Sequence, residues 1–332
     1  MLAHTPMVDR FQQLNDSRSV THLTYALPEV LFIVYVGILS GYSEWKGMAN
    51  FAHYNLPWFR QFFPYRWGIP SHHTIEKVCM MIDSKAFMQL FVDWMRDAVE
   101  QMNTPKNDNE KITNDVIAVD GKALRGSRPA KGKKMVHIVS AYSTKLSLIL
   151  GFTPVEKKSN EITAIPELLD MLVIEGCLIT SDAMGCQKAI CQKIVDNKAD
   201  YLICAKSNQP TLCGNIEQVF EQYIADHPKD PKPSEGNTFF AETEENNRGR
   251  QEHRRCWVFS DDETIATVDP DGEWPKLNQV AVIQRDRRVG SKQSTELHCY
   301  ILSRKLTAMS VLESARNHWH IESVPQAHKV AA

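Results

Sequence analysis

The sequence predicts an α/β protein, a sheet with helices on its faces, preceded by a separate all-helical region. Two observations carry this. Between residues 114 and 224, short apolar runs alternate with helix-length stretches, the rhythm of strands followed by covering helices. Before residue 102, apolar residues recur at helical spacing. The 332 residues, 43% hydrophobic and 23% charged, suffice for one large core or two medium ones. They exclude collagen, coiled-coil and disordered compositions.

Residues 1–102 form the helical region. Leu31, Phe32, Tyr35, Val36 and Leu39 mark one helix, and Phe87, Leu90, Phe91 and Trp94 another. Asn55-Leu56-Pro57 and the stretch from Pro64 to Pro70 punctuate the chain between them. Ser71 is placed to cap a helix opening at His72. Adjacent His72 and His73 point apart on a helix, which favours capping or surface roles over a shared metal. Trp58, Trp67 and Trp94 are assigned to the core. Residues 103–113 (NTPKNDNEKIT) are polar and read as a linker.

From 114 to 224 the strands are Val116–Val119, Val136–Ser140, Leu148–Leu150, Leu178–Thr180 and Tyr201–Cys204. The helices are Ala164–Leu172, Gln187–Lys198 and Thr211–Tyr223. Residues 225–296 break the rhythm with Pro228, Pro231 and Pro233, then short runs at Cys256–Phe259 and Val280–Ile283, and read as a β-rich insertion. The sheet domain resumes over 297–322, with a strand at Tyr300–Ser303 and a helix from Thr307 to Ile321.

Charge and cysteine content narrow the function. A formal net charge of −2 excludes a globally basic packer of nucleic acid, so polyanion contacts must come from local patches. Eight cysteines without a C-x-x-C pair exclude a zinc ribbon or thioredoxin motif and read as reduced thiols of a cytoplasmic protein. The uncharged run Val30–Ser43 is shorter than the roughly 20 residues of a membrane span, and the N-terminus lacks a secretory pattern. No membrane association is expected. The sequence has no Gly-rich phosphate loop to support nucleotide hydrolysis.

Two aspartates close apolar runs: Asp120 after Ile117-Ala118-Val119, and Asp182 after Leu178-Ile179-Thr180-Ser181. Carboxylates at strand ends are rigidly held yet open to solvent, and a converging pair offers hard oxygen ligands for Mg²⁺ or Mn²⁺. A strand-terminal Asp can equally cap the following turn, and spacing alone does not choose between the two.

The surrounding words are more specific. The stretch 117–127 (IAVDGKALRGS) resembles the first-carboxylate motif of the H-repeat-associated proteins and their insertion-sequence relatives, a family of DDE transposases. The stretch 156–187 resembles its second block, Lys206-Ser207-Asn208-Gln209 its K-x-N-Q turn, and Arg316–Glu322 (RNHWHIE) the start of its third-carboxylate helix. Leu39-Ser40-Gly41 and Pro70–Thr74 resemble its helical accessory domain, so the likeness runs from about residue 9 to residue 322.

The resemblance implies a ribonuclease H-like core in which Asp120, Asp182 and Glu322 hold two Mg²⁺ or Mn²⁺ ions. Two metals about 3.5–4 Å apart suit an in-line phosphodiester displacement. The implied partners are the element's terminal repeats and target DNA, and joining two ends implies a homodimer.

Basic residues near these motifs are candidate DNA contacts. Lys122, Arg125 and Arg128 follow Asp120, with Lys131, Lys133 and Lys134 beyond; a solvated loop is the alternative. Lys206, Asn208 and Gln209 suit DNA or plain turn chemistry. Arg250 and Arg254 belong to a stretch resembling the family's H-G-R-x-E-x-R pattern, with Arg248 where His is usual. Arg285, Arg287, Arg288 and Lys292 read as a hairpin surface.

After Glu322 the likeness stops, and residues 323–332, with Pro325, read as an aberrant tail. The sequence therefore leaves two main readings: an active metal-dependent transposase, or a truncated, catalytically inactive remnant able to bind DNA. A related nuclease without strand transfer is a third.

Overall fold

The computed structural model describes residues 6–18, 23–102, 115–123, 137–155, 161–227, 239–247 and 249–318. These fall into two units, a helical one within 6–102 and a mixed α/β one within 115–318.

The described residues of the helical unit form α1 (Pro6–Phe11), α2 (Leu27–Leu39), α3 (Trp45–Tyr54), α4 (Leu56–Phe59), α5 (His72–Met80) and α6 (Ser84–Met102). The apolar run of α2 buries Val30, Leu31, Phe32 and Ile33. Phe32 anchors an aromatic cluster, with ring centres 4.8 Å from Phe62 and 5.6 Å from Phe59. The buried Glu29 is fully employed: its carboxylate accepts from the Ala26 amide at 3.3 Å and the Tyr65 amide at 2.7 Å. Gly37 lets α2 approach α3, since a Cβ there would lie 2.7 Å from Met48 Cγ. Ser71 caps α5 as expected, its hydroxyl accepting from the Thr74 amide at 3.3 Å.

Two local expectations for this unit fail. Trp58 and Trp67 are 41% and 71% exposed and are not core residues, whereas Trp94 is half-buried and packs against the core of the unit. Trp58 lays its ring on Phe32 and Phe62 and leaves the rest to solvent, as a large indole often does. His72 and His73 do not point apart; their rings meet at 4.0 Å. They sit on the first turn of α5, where no preceding turn restricts χ1.

The second unit is built on one nine-stranded mixed sheet: β1 (Val116–Ala123), β2 (His137–Ser143), β3 (Leu148–Val155), β4 (Leu178–Ser181), β5 (Asp200–Ala205), β6 (Phe240–Asn247), β7 (Arg250–Phe259), β8 (Gln279–Val289) and β9 (Lys292–Leu302). The spatial order is β3-β2-β1-β4-β5-β9-β8-β7-β6. β4 runs parallel to both β1 and β5, and the other pairs are antiparallel. One face is covered by α7 (Glu161–Met171), α8 (Lys188–Asp196) and α9 (Pro210–Asp226), with α10 (Asp262–Val268) packed on α9. Their apolar faces bury Leu168, Ile190, Ile194, Leu212 and Ile216 against Val119, Ile179, Tyr201 and Ile203. The opposite face receives α11 (Ala308–His318), whose Val311, Leu312 and Ala315 pack on Leu178, Leu202 and Ala281.

The strands of 225–296 extend this sheet. β9 pairs with β5, Leu302 opposite Leu202 and Cys299 opposite Ala205. β9 is continuous from Lys292, so one strand carries both the end of that stretch and the return to the sheet core. β6 and α10 were not anticipated; Asp261 caps α10, accepting from the Thr264 amide at 2.8 Å. All eight cysteines are unbridged, six of them buried. Among the described residues no helix is long and apolar enough to cross a membrane.

Candidate active site

The parallel register of β1 and β4 sets the site. Ala118 lies beside Thr180 and Val119 beside Ser181, so Asp120 and Asp182 are the next residues along neighbouring strands. Side chains alternate along a strand, which puts Ala118, Asp120, Thr180 and Asp182 on one face, the face that α11 covers.

Asp120 does not end its strand. β1 continues through Ala123, and Asp120 pairs with Ser140 of β2. Gly121, Lys122 and Ala123 still find partners in Val139, Ile138 and His137, so the strand end expected at Asp120 does not fall there. The Asp120 carboxylate is 11% exposed and has Lys122 Nζ at 3.5 Å.

Asp182 does follow its strand, and the capping alternative is realised. Its Oδ1 accepts from the Met184 amide at 3.0 Å and caps a 3₁₀ turn at Ala183–Gly185. The residue is exposed and the carboxylate has a second oxygen, so capping and ligation are compatible. The turn is tight: a Cβ on Gly185 would lie 2.1 Å from Ser181 Oγ.

The loop after Asp182 is held from β5. Asn208 Nδ2 donates to the Ala183 carbonyl at 2.5 Å, and Gln209 Nε2 to the Cys186 carbonyl at 2.9 Å. Both amides are thus spent on positioning the Asp182 loop. Lys206, in the same turn, is exposed.

His318 also belongs to this site, though the sequence reading gave it no role. It ends the described part of α11, and its Nδ1 lies 3.1 Å from Thr180 Oγ1. Burial, against the pull of the Asp182 charge and aided by Lys122, brings its pKa down to about 4, so the imidazole is neutral at pH 7. A signal existed: it lies four residues before Glu322, the spacing of one helix face. Glu322, Arg125 and Arg128 lie outside the described residues.

The same sheet face carries a charged cleft beside α11. Arg250, Arg254, Arg285, Arg287 and Arg316 line it, against Glu245 and Glu252. Glu252, with its side chain 4% exposed, pairs with Arg254 and has Arg250 Nε at 3.1 Å and Arg287 Nε at 3.9 Å. Five arginines against two glutamates leave the cleft cationic. Arg285 and Arg287, expected on a hairpin surface, face into it.

Residues 112–329 match the family described as Transposase DDE domain, and residues 8–95 match the family described as DDE_Tnp_1-associated. A protein named as a transposase, YncI of Escherichia coli O157:H7, is 35% identical over 320 residues, 95% of this chain and 77% of its own length. A protein named as an H repeat-associated transposase, YhhI of Escherichia coli strain K12, is 33% identical over 322 residues, 96% of this chain and 80% of its own.

These define an enzyme of the class that cuts and transfers nucleic acid. The chain belongs to the DDE transposase family and is a DDE-type transposase. Domains of this family use divalent metal ions and act on DNA. One expectation is corrected: the family match extends over residues 112–329, and the truncated-remnant reading is not favoured.

Proposed function

We propose that this transposase cuts phosphodiester bonds at the ends of a bacterial insertion sequence or H-repeat element and joins the freed 3′-hydroxyl to target DNA. The observation that supports the reading is the β1–β4 register, which pairs Val119 with Ser181, the residues just before Asp120 and Asp182. The order β3-β2-β1-β4-β5, with β4 and β5 parallel to β1, supports a ribonuclease H-like core. In this reading 1–102 is an accessory domain, 103–113 a linker, 114–224 and 297–322 the catalytic core, and 225–296 a β-rich extension of it.

Asp120 and Asp182, with Glu322, would hold two Mg²⁺ or Mn²⁺ ions. The donor chemistry fits, since carboxylate oxygens are the hard ligands these ions take. When bound, such a pair activates the attacking oxygen and stabilises the leaving one. The chain's own residues do the rest. Lys122 balances Asp120 until the carboxylates are otherwise engaged. Asn208 and Gln209 hold the Asp182 loop, and His318 fixes the end of α11 over β4 without adding charge. Lys206, Arg250, Arg254, Arg285 and Arg287 supply cationic contacts for the DNA backbone on the same face, with Lys122, Arg125 and Arg128 nearer the carboxylates in sequence. Two ends joined together call for a homodimer, and eight unbridged thiols support a cytoplasmic setting.

The test is cleavage of DNA carrying the element's terminal repeats. Cutting should need Mg²⁺ or Mn²⁺, stop with EDTA, and vanish in Asp120→Asn and Asp182→Asn. Cutting by Asp182→Asn at the parent's rate would refute the assignment.

A further inference from the structure

On the opposite face of the sheet, α9 packs on β8 and β9. Cys213 and Glu217 stand four residues apart on α9 and share one helix face. Cys299 points to them from β9, 2% exposed, at the residue paired with Ala205. Cys213 Sγ, a Glu217 carboxylate oxygen and Cys299 Sγ all lie within 4.8 Å of one another, and Cys213 Sγ to Glu217 Oε1 is 3.5 Å. Cys213 Sγ is also 3.8 Å from the Ala205 carbonyl oxygen.

We propose that Cys213, Glu217 and Cys299 form a binding site for a thiophilic divalent cation, with Zn²⁺ the best fit. Zinc binds sulfur at about 2.3 Å and carboxylate oxygen at about 2.0–2.2 Å in a tetrahedron, which sets ligand atoms about 3.5–3.8 Å apart. The three donors already approach that spacing. Glu217 is exposed, so a cation can enter from its side, and water can take the fourth corner.

The exchange conserves charge. Burial, and then the Glu217 charge, holds the Cys213 thiol above its usual pKa, and burial does the same for Cys299. Both sulfurs therefore keep their protons at rest. Loading puts two positive charges in and sends two protons out, so the net charge of the buried site does not change. Affinity then rises about 100-fold per pH unit while both thiols remain protonated. The donor set also separates this site from Asp120 and Asp182, whose all-oxygen character suits Mg²⁺.

A bound cation would clamp α9 to β9. α9 begins directly after the turn whose Asn208 and Gln209 hold the Asp182 loop. The role is structural, and it does not depend on the DNA reaction proposed above.

The experiment titrates the reduced, metal-stripped full chain with Co²⁺ and follows thiolate-to-cobalt charge-transfer absorption, then displaces Co²⁺ with Zn²⁺. The parent should bind one equivalent with that absorption and melt at a higher temperature with Zn²⁺. Cys213→Ser, at a half-buried position, should lose both effects while keeping the parent's circular dichroism. Glu217→Gln should weaken binding about tenfold or more, and Asp182→Asn should bind as the parent does. Absence of a thiolate band in the parent, or a band undiminished in Cys213→Ser, would overturn the proposal. Cys299→Ala, if it folds, must also lose the band.

Discussion

His318 is hydrogen-bonded to Thr180, Nδ1 to Oγ1 at 3.1 Å, and this bond fastens the end of α11 over β4 two residues before Asp182. The helix that leads toward Glu322 is therefore tied to the strand that leads into Asp182. His318→Leu leaves the Thr180 hydroxyl buried and unpaired, at a cost of about 1–3 kcal/mol. As a positioning residue, its loss should slow cleavage about 10–100-fold, the range for groups that orient metal ligands. Melting curves and cleavage rates check this; His318→Gln, which can still bond Thr180, should recover part of the rate.

Asp182 performs two tasks that substitutions can separate. Asn is as good a cap as Asp, so Asp182→Asn should keep stability within about 0.5 kcal/mol yet abolish cutting. Asp182→Ala should abolish cutting and also lose about 1 kcal/mol. Denaturant melts beside cleavage assays distinguish the two; equal stability of both variants would show that the cap is idle.

Gly185 is required by the space beside Ser181. Gly185→Ala drives a methyl into Ser181 Oγ, and overpacking of this kind costs about 1–3 kcal/mol. Because the same turn is capped by Asp182, cleavage should fall more than stability does. Thermal melts and cleavage of the purified variant read both effects.

The cationic cleft predicts a salt-dependent affinity. Each phosphate contact contributes about 0.9 to the slope of log K against log salt. Replacing Arg250 and Arg287 by Gln, both half-exposed, should lower that slope by about 0.9 for each contact made. Fluorescence anisotropy over a salt series checks it, and an unchanged slope removes the cleft from the DNA path.

Asp200 predicts how the sheet responds to acid. Burial pushes its carboxyl up, but bonds from Lys276 Nζ at 2.9 Å and Ser303 Oγ at 2.8 Å bring it below the usual carboxylate pKa. A depressed carboxylate stabilises the fold above its unfolded pKa of about 4 and loses that contribution as pH falls through the folded value. Asp200→Asn should cost about 1–2 kcal/mol at neutral pH and shrink toward no difference in acid. Melting temperatures of parent and variant between pH 7 and pH 3 test the convergence.

Much of this architecture was legible in the sequence where burial writes a pattern. β1, β4 and β5 are apolar runs because both faces of the sheet are covered there, and each was found. β6 (FAETEENN) and the first half of β9 (KQSTEL) were not, since strands held by backbone pairing with solvated side chains show no alternation. Asp120 was found but misplaced: the apolar run stops at Val119, whereas the strand runs on through Ala123 by pairing with β2. Asn208 and Gln209 were noticed for their chemistry, yet their use on the Asp182 loop depends on how β5 lies beside β4. Cys213 and Cys299 are far apart in the chain, and only the β5–β9 pairing brings them together.

That pairing has a consequence for synthesis. β5 is finished at Ala205, but its neighbour β9 is completed only at Leu302, roughly 100 residues later. At translation rates of roughly 5–20 residues per second, the nascent chain carries an unpaired β5 edge for about 5–20 s. Such an edge invites strands from other chains. Ribosomes queued on one message would hold many such edges close together, so the yield of folded enzyme depends on how fast this stretch is translated.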